Sequence, residues 1–171
     1  MKVLLVIDMQ NDFVTGVLGS KEAVNIVDKV VERVKNFDGK VLFTRDTHDD
    51  DYMNTEEGKH LPVSHCIKNT KGWEIVEKLQ PFIKEEPFDK ATFGSVEVEK
   101  YLNELSKIEK IESITLVGLC TDICVISNAL LLKANFYNIP IFVEENLCAG
   151  VTIESHKRAL DAMKMCHINI I

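Results

Sequence analysis

Two cysteines four residues apart, Cys120 and Cys124, lie in the segment GLCTDICV (residues 118–125), directly behind an apolar run. Zinc and redox cysteine pairs usually have C-x-x-C spacing, and a zinc site needs further ligands nearby, so both are disfavoured. Thr121 or Asp122 could cap a helix here, which would place Cys124 in its first turn. The helix dipole would then lower the pKa of the thiol, and backbone N–H groups could receive an oxyanion. A cysteine beside a buried helix can equally be an inert, packed thiol.

Two other side chains could complete a nucleophilic site. Asp8 ends the first apolar run, so partial burial would make it a better proton acceptor than a surface carboxylate. Lys90 follows another apolar segment and could supply a positive charge that favours the thiolate. Each has an ordinary alternative, because an Asp at a strand end is commonly a turn residue and a lone Lys is commonly solvated. Together with Cys124 they predict a nucleophile, a base and a cation.

A second group of side chains has the composition of a metal site. Asp46 and His48 are two residues apart, so on an extended segment they point to the same side, and His65 lies further along the same polar region. Three such ligands would leave coordination positions open. Their oxygen and nitrogen donors suit zinc, manganese or iron. Loops rich in Asp and His are also commonly only solvated, so spacing alone leaves both interpretations open.

Apolar segments with the length and β-branched content of strands would position these side chains. The predicted strands are residues 2–7, 40–44, 114–119, 140–143 and 168–171, with a weaker one near 82–88. Because they are apolar nearly throughout, they suit strands covered on both faces. In an open α/β sheet, the groups that do chemistry collect at the carboxyl ends of the strands. The sequence therefore predicts that both groups of side chains lie at one edge of a sheet.

Helical patterns alternate with these strands. Apolar stripes or faces cover residues 24–34, 98–105, 122–136 and 159–163. This alternation favours a parallel α/β architecture in three layers, with helices on both faces of the sheet, as a single domain over residues 1–171. Residues 45–70 follow neither period, and a polar loop of that length is usually functional or disordered.

The composition disfavours several classes of function. The 171 residues are 46% hydrophobic and 27% charged, as in soluble globular proteins, and the formal net charge of −7 argues against a nucleic-acid partner. No segment has the length of a membrane span, and Asp8 interrupts the first apolar run, unlike a signal peptide. Five scattered cysteines do not form a disulfide framework, so we expect a reducing cytoplasm.

Three ordered motifs give the chain a family resemblance. The runs LLVIDMQNDF (residues 4–13), FDKATFGS (88–95) and VGLCTDICV (117–125) resemble the isochorismatase-like cysteine hydrolases, which include nicotinamidases and related amidases. The resemblance implies a Rossmann-like fold with a six-stranded parallel sheet and a catalytic triad. It assigns the triad to the Asp of the first motif, the Lys of the second and the last Cys of the third: Asp8, Lys90 and Cys124. It also implies a cis peptide bond between Leu119 and Cys120, and an oxyanion hole formed by the backbone N–H groups of Cys120 and Cys124.

The resemblance extends to the second group. Nicotinamidases bind a metal through such an Asp-x-His and a later His, which implies Asp46, His48 and His65 as ligands of a divalent metal, with zinc expected ahead of manganese or iron. Glu57, ahead of Glu56, is the candidate for a fourth. In those enzymes the ring nitrogen of the substrate coordinates the metal, and Phe13 matches a residue that packs against the substrate ring, although a role in the core suits it equally. The chain departs from the family at residue 47, where Thr replaces a common Trp.

From these observations we expect a homo-oligomeric cysteine hydrolase that cleaves the amide C–N bond of a small, aromatic amide, as in the conversion of nicotinamide to nicotinate and ammonia. A related alternative is an isochorismatase-type vinyl-ether hydrolase of the same fold. A thiol nucleophile and a metal site count against it, because that reaction needs no thiol. An alternative of a different class is a non-enzymatic redox- or metal-binding module.

Overall fold

A computed structural model describes residues 1–171 and contains one sheet of six parallel strands. The strands are β1 (Lys2–Ile7), β2 (Lys40–Asp46), β3 (Phe88–Lys90), β4 (Ser113–Leu119), β5 (Ile141–Ala149) and β6 (Asn169–Ile170). Their order in space is β3-β2-β1-β4-β5-β6. The strands β1 and β4 therefore lie side by side at the centre, with β2 and β3 on one side and β5 and β6 on the other. This order confirms the predicted six-stranded parallel sheet. A crevice is expected where the chain switches sides, at the carboxyl ends of β1 and β4.

Six helices accompany the sheet. They are α1 (Asn11–Val14), α2 (Lys21–Lys35), α3 (Glu56–His60), α4 (Val96–Ser106), α5 (Ile126–Asn135) and α6 (Ile153–Met165). Successive side chains of a strand point to opposite faces, and β1 buries both sets. Val3, Leu5 and Ile7 pack in a core with α4, α5 and α6, whereas Leu4 and Val6 pack in a second core with α2. Helices therefore cover both faces of the sheet, which confirms the three-layer architecture.

The close pairing of β1 and β4 depends on one glycine. Gly118 lies opposite Ile7 in the ladder and has a φ of +115°. A Cβ atom at this position would lie 2.2 Å from the Ile7 carbonyl oxygen. Only glycine accepts this conformation without strain, and it brings the ends of the two central strands into contact.

Several boundaries differ from the sequence prediction. The weak strand expected near residues 82–88 is β3, which begins only at Phe88, because a 3₁₀ segment occupies Glu77–Phe82. The predicted helix over residues 122–136 divides into one wide π-helical turn, Thr121–Val125, followed by α5. On α2, Val24 is 47% exposed although it belongs to the predicted stripe, and Ala23 and Ile26 take the buried positions.

The polar region after β2 is more ordered than its lack of periodicity suggested. It contains a 3₁₀ turn, Tyr52–Asn54, and the short helix α3. Thr55 caps α3, since its side chain accepts a hydrogen bond from the Gly58 N–H. Further along, Ile67 forms an isolated parallel bridge with His48, so the region folds back to the end of β2. No helix of the structure combines the length and the apolar character needed to cross a membrane.

Candidate active site

Three of the predicted side chains meet beneath the carboxyl edge of the sheet. Asp8 follows β1, Lys90 ends β3 and Cys124 lies in the wide turn after β4. The Lys90 ammonium lies 2.7 Å from Asp8 Oδ2 and donates a hydrogen bond of 3.4 Å to Cys124 Sγ. All three residues are buried. The structure thus brings a carboxylate, an ammonium and a thiol together out of contact with bulk water.

Asp8 has a separate environment at each oxygen. The Thr44 hydroxyl donates a 2.7 Å hydrogen bond to Oδ1, and the same hydroxyl oxygen accepts the Asp8 backbone N–H at 3.2 Å. Oδ2 lies beside the Lys90 ammonium but has no hydrogen bond of acceptable geometry, although the distance is short. We interpret this contact as an ion pair that leaves an Oδ2 lone pair available. Asp8 Oδ2 is therefore the oxygen that can accept a proton.

The electrostatics of Cys124 correct one expectation from the sequence. Burial, and then the negative charge of Asp8, raise the pKa of the Cys124 thiol well above its ordinary value, and the opposing effect of Lys90 is smaller. The predicted lowering of this pKa by a helix start is therefore wrong, because desolvation and a neighbouring carboxylate outweigh the dipole. A sulfur whose pKa is raised in this way needs a nearby proton acceptor to attack a substrate.

Asp8 is suited to be that acceptor. Burial raises the pKa of the Asp8 carboxyl, while the positive charge of Lys90 opposes this shift. For Lys90, burial alone would lower the pKa, but the negative charge of Asp8, together with that of Asp46, opposes this shift and the net pKa is raised. Lys90 thus remains a cation, and Asp8 is a more basic carboxylate than one at the surface.

Asn128 joins the wide turn that contains Cys124 to the loop that follows Lys90. Its side-chain amide donates to the Cys124 carbonyl at 2.8 Å and to the Phe93 carbonyl at 3.0 Å. Its Oδ1 atom accepts the Ser95 N–H at 2.9 Å. Asn128 is fully buried, and its bonds to Phe93 and Ser95 join segments that are distant in the sequence, whereas the bond to Cys124 is local.

Beside these residues lies a cluster with the donors of a metal site. Asp46, His48, Glu57 and His65 each offer one ligand atom, and these four atoms lie within 4.8 Å of one another. His48 Nε2 is 3.0 Å from Asp46 Oδ2, and His65 Nε2 is 3.4 Å from the same oxygen. The structure thus brings the candidate fourth ligand Glu57 into the cluster, whereas the side chain of Glu56 is 77% exposed and lies outside it.

The donor set fits a divalent transition metal. His65 Nδ1 lies 2.8 Å from the Val63 carbonyl and donates to it, so Nε2 is the nitrogen that can bind a metal once its contact with Asp46 no longer holds a proton. Burial alone would raise the pKa of Asp46, but hydrogen bonds with His48 and His65 outweigh it, and the net pKa is lowered. Two imidazoles and two carboxylates in a buried cluster suit zinc, with manganese and iron as alternatives.

A cavity of about 860 Å³ opens onto both groups. Asp46, His65 and Cys124 contribute to its lining, and Phe13 and Ile123 are among its apolar residues. The Phe13 ring lies 5.5 Å from the His65 ring, centroid to centroid. No Arg or Lys lines the cavity, whereas three acidic residues do. A neutral molecule with an apolar ring suits this lining better than an anion does.

Comparison with known proteins agrees with this geometry. The family model described as the isochorismatase domain matches residues 2–171. The chain belongs to the isochorismatase domain family. A nicotinamidase of Schizosaccharomyces pombe is 26% identical over an alignment of 205 positions that includes gaps and covers 98% of this chain and 91% of that protein.

Two solved structures of isochorismatase-like proteins superpose on nearly the whole chain. The pyrazinamidase of Pyrococcus horikoshii in complex with zinc has a TM-score of 0.84 and 26% identity, with 99% of this chain and 98% of that chain covered. The nicotinamidase PncA from Bacillus subtilis has a TM-score of 0.82 and 29% identity over the same shares. The fold expected for an isochorismatase domain is therefore confirmed.

Within this isochorismatase domain, sequence reasoning found some site residues and missed others. Cys120 lines the cavity, and the peptide bond that joins it to Leu119 is cis, as the resemblance implied. Thr44 and Asn128 were missed. Each is a buried polar residue next to a short apolar run, which is a signal, but its partner could not be identified without the fold.

Proposed function

We propose that this chain is an amidase that hydrolyses the C–N bond of a small aromatic amide, as in the conversion of nicotinamide to nicotinate and ammonia. One observation carries the proposal: a single buried ammonium, Lys90, contacts both Asp8 and Cys124 at the floor of a mainly apolar cavity. A thiol paired with a base is the arrangement that nucleophilic catalysis of acyl transfer requires.

The chemistry follows from the proton positions. Asp8 accepts the proton of the Cys124 thiol as the sulfur attacks the amide carbon, and a tetrahedral oxyanion forms. The backbone N–H groups of Cys120 and Cys124 donate to that oxyanion. The protonated Asp8 then gives its proton to the leaving nitrogen, so ammonia departs and a thioester remains on the sulfur. Water, deprotonated by Asp8, hydrolyses the thioester to the acid and restores the thiol.

Substrate positioning is assigned to the second cluster and to Phe13. Asp46, His48, Glu57 and His65 would hold a divalent ion, for which zinc is the first choice. When bound, such an ion supplies a Lewis-acidic contact for a ring nitrogen of the substrate. The presence of zinc in the Pyrococcus horikoshii pyrazinamidase structure supports this choice. Phe13, beside His65, packs against the substrate ring and excludes water from it.

The vinyl-ether alternative is less well supported. Isochorismate carries carboxylate groups, and a cavity that recognises them is expected to present Arg or Lys. Here the lining has neither. A buried thiol next to a base does not fit the alternative of a non-enzymatic redox module, since redox-sensing cysteines are usually accessible.

The proposal also covers location and assembly. A reducing cytoplasm suits a chain with five free cysteines. An assembly of identical chains follows from the family resemblance, and size measurement in solution tests it. The partner of the site is a small molecule, because the negative net charge disfavours nucleic acid.

Ammonia release from a panel of small amides, with nicotinamide first, tests the function. Cys124→Ala is the inactive variant, and Cys166→Ala is the matched control because Cys166 is exposed and distant in sequence from the motifs. Intact-mass analysis of the quenched reaction should show an acyl group on the wild type and none on Cys124→Ala. If every amide in the panel is left intact by folded, metal-loaded protein, the amidase proposal fails.

A further inference from the structure

The segment between Asp8 and Phe13 bonds to the strand end that carries Asp46. Gln10 is fully buried, and its side-chain Nε2 donates to the Asp46 carbonyl at 2.8 Å and to the Trp73 carbonyl at 2.9 Å. Its Oε1 atom accepts the Asp46 backbone N–H at 2.8 Å. The amide of Gln10 therefore pairs with both backbone groups of Asp46, as a neighbouring strand would.

Asp12 makes the corresponding contact on the other side of the cluster. Its Oδ2 atom accepts the backbone N–H of Cys66 at 2.8 Å, and Cys66 directly follows His65. Cys66 has a φ of +48°, a conformation that a non-glycine residue rarely adopts without support. The Cys66 carbonyl in turn accepts the His48 N–H at 3.0 Å. One carboxylate thus supports the backbone from which two candidate ligands extend.

The loop that contains Cys66 also contains Gly72, and this glycine lets the loop lie close to Asp12. The Asp12 N–H donates to the Gly72 carbonyl at 3.0 Å. A Cβ atom at residue 72 would lie 2.2 Å from Asp12 Oδ2, the oxygen that receives the Cys66 N–H. The approach of the loop to this carboxylate therefore requires the absence of a side chain at that position.

We propose that Gln10 and Asp12 are positioning residues that place Asp46 and His65 for metal binding before the metal arrives. The inference rests on the proposed function, since it concerns the metal site assigned there. Asp46 and Glu57 repel each other when no cation lies between them, so unsupported ligands would separate. Backbone clamps on both sides hold them, and the metal then binds without a large ordering cost.

The test uses Co²⁺ as the probe, because its visible absorption reports the geometry of its ligands. Chelator-treated protein is titrated with Co²⁺ in the presence of a competing chromophoric chelator. Gln10→Met keeps the length of the side chain and removes all three hydrogen bonds. We expect Co²⁺ affinity to fall by ~10–100-fold, the usual effect of losing such a supporting partner, and the absorption spectrum to change.

Gln80→Met is the matched control. The side-chain amide of Gln80 also donates a hydrogen bond to a backbone carbonyl, that of Ile75 at 2.9 Å, but it has no hydrogen bond with a candidate metal ligand. It should bind Co²⁺ with wild-type affinity and an unchanged spectrum. If Gln10 only stabilised the loop, Gln10→Met and Gln80→Met would both have a lower melting temperature. The Co²⁺ spectrum of each folded variant would then be unchanged.

Asp12 provides a second test that does not depend on the folding of Gln10→Met. Asp12→Ala should weaken Co²⁺ binding, whereas Asp12→Asn should restore most of it because an amide oxygen can still accept the Cys66 N–H. Wild-type affinity and spectrum in folded Asp12→Ala would overturn the inference for Asp12, and the same result in folded Gln10→Met would overturn it for Gln10. A wild-type protein that binds no Co²⁺ would instead overturn the proposed metal site together with this inference.

Discussion

The Lys90 ammonium lies 3.3 Å from Asp46 Oδ1, so one cation connects the proposed triad to the proposed metal site. The same ammonium contacts Asp8 and Cys124. Three negatively charged or ionisable groups from three strand ends therefore share one buried positive charge. Removal of the Lys90 charge is expected to affect the ionisation of the Cys124 thiol most, because desolvation already disfavours the thiolate.

Lys90→Met should make Cys124 harder to ionise. The positive charge of Lys90 lowers the pKa of the Cys124 thiol against the effect of burial, so its loss raises that pKa further. The rate of Cys124 alkylation by iodoacetamide should then rise only at higher pH than in the wild type. Peptide mapping over a range of pH measures this, with exposed Cys166 as the internal reference. Lys100→Met, at an exposed lysine, should leave the profile unchanged, and an unchanged profile in Lys90→Met would contradict the assignment.

Asp8→Asn should fold but lose acylation. An amide side chain keeps the shape and can still accept the Thr44 hydrogen bond, yet it cannot take the thiol proton. Loss of general base catalysis typically lowers the rate by ~10²–10⁴. Single-turnover ammonia release measures the effect, with Asp28→Asn as the exposed control. Wild-type turnover in folded Asp8→Asn would remove Asp8 from the mechanism.

Cys124→Ala should abolish turnover, whereas Cys120→Ala should retain much of it. The mechanism uses the sulfur of Cys124 but only the backbone N–H of Cys120. Ammonia release and intact-mass detection of the acyl intermediate give the two readouts. A folded Cys120→Ala protein that is as inactive as Cys124→Ala would show that the division of roles is wrong.

Thr44→Val should move the acid limb of the kcat/KM profile to higher pH. The Thr44 hydroxyl stabilises the ionised Asp8 carboxylate, so its loss raises the pKa of Asp8, and more of the base is protonated at a given pH. Hydrogen bonds to charged groups contribute about 1.5–3 kcal/mol, which corresponds to a shift of the acid limb by roughly one to two pH units. Thr44→Ser should restore the profile. An acid limb that does not move in Thr44→Val would exclude this role.

Metal removal should weaken the capture of amides that bear a ring nitrogen. The purified protein should carry about one divalent ion per chain, since four ligands with water complete one site. His48→Ala should reproduce the effect of a chelator, mainly as a rise in KM, while His167→Asn, at an exposed histidine outside the cavity lining, should not. Elemental analysis without a metal, together with unchanged kinetics in His48→Ala, would falsify the metal site.

The strand ends explain why much of the site could be predicted. Asp8 directly follows the apolar run of β1, and Asp46 comes shortly after that of β2, so their position at the carboxyl edge follows from the pattern. Helix α3 was missed, although Thr55 followed by two Glu residues is a capping signal. The raised pKa of Cys124 could not be predicted, because it depends on how deeply Asp8 and Cys124 are buried together. Burial of that kind is a property of packing between distant segments.

The pairing of β1 with β4 determines when activity can appear during folding. Lys2 pairs with Ser113 and Ile7 with Gly118, so the strand that delivers Asp8 and the strand that precedes Cys124 join only after most of the chain has been made. Contacts between such distant segments form slowly, because loop closure costs entropy before the ladder repays it. Helices can form earlier from local contacts. In refolding, recovery of amide hydrolysis should therefore lag behind recovery of helical circular dichroism.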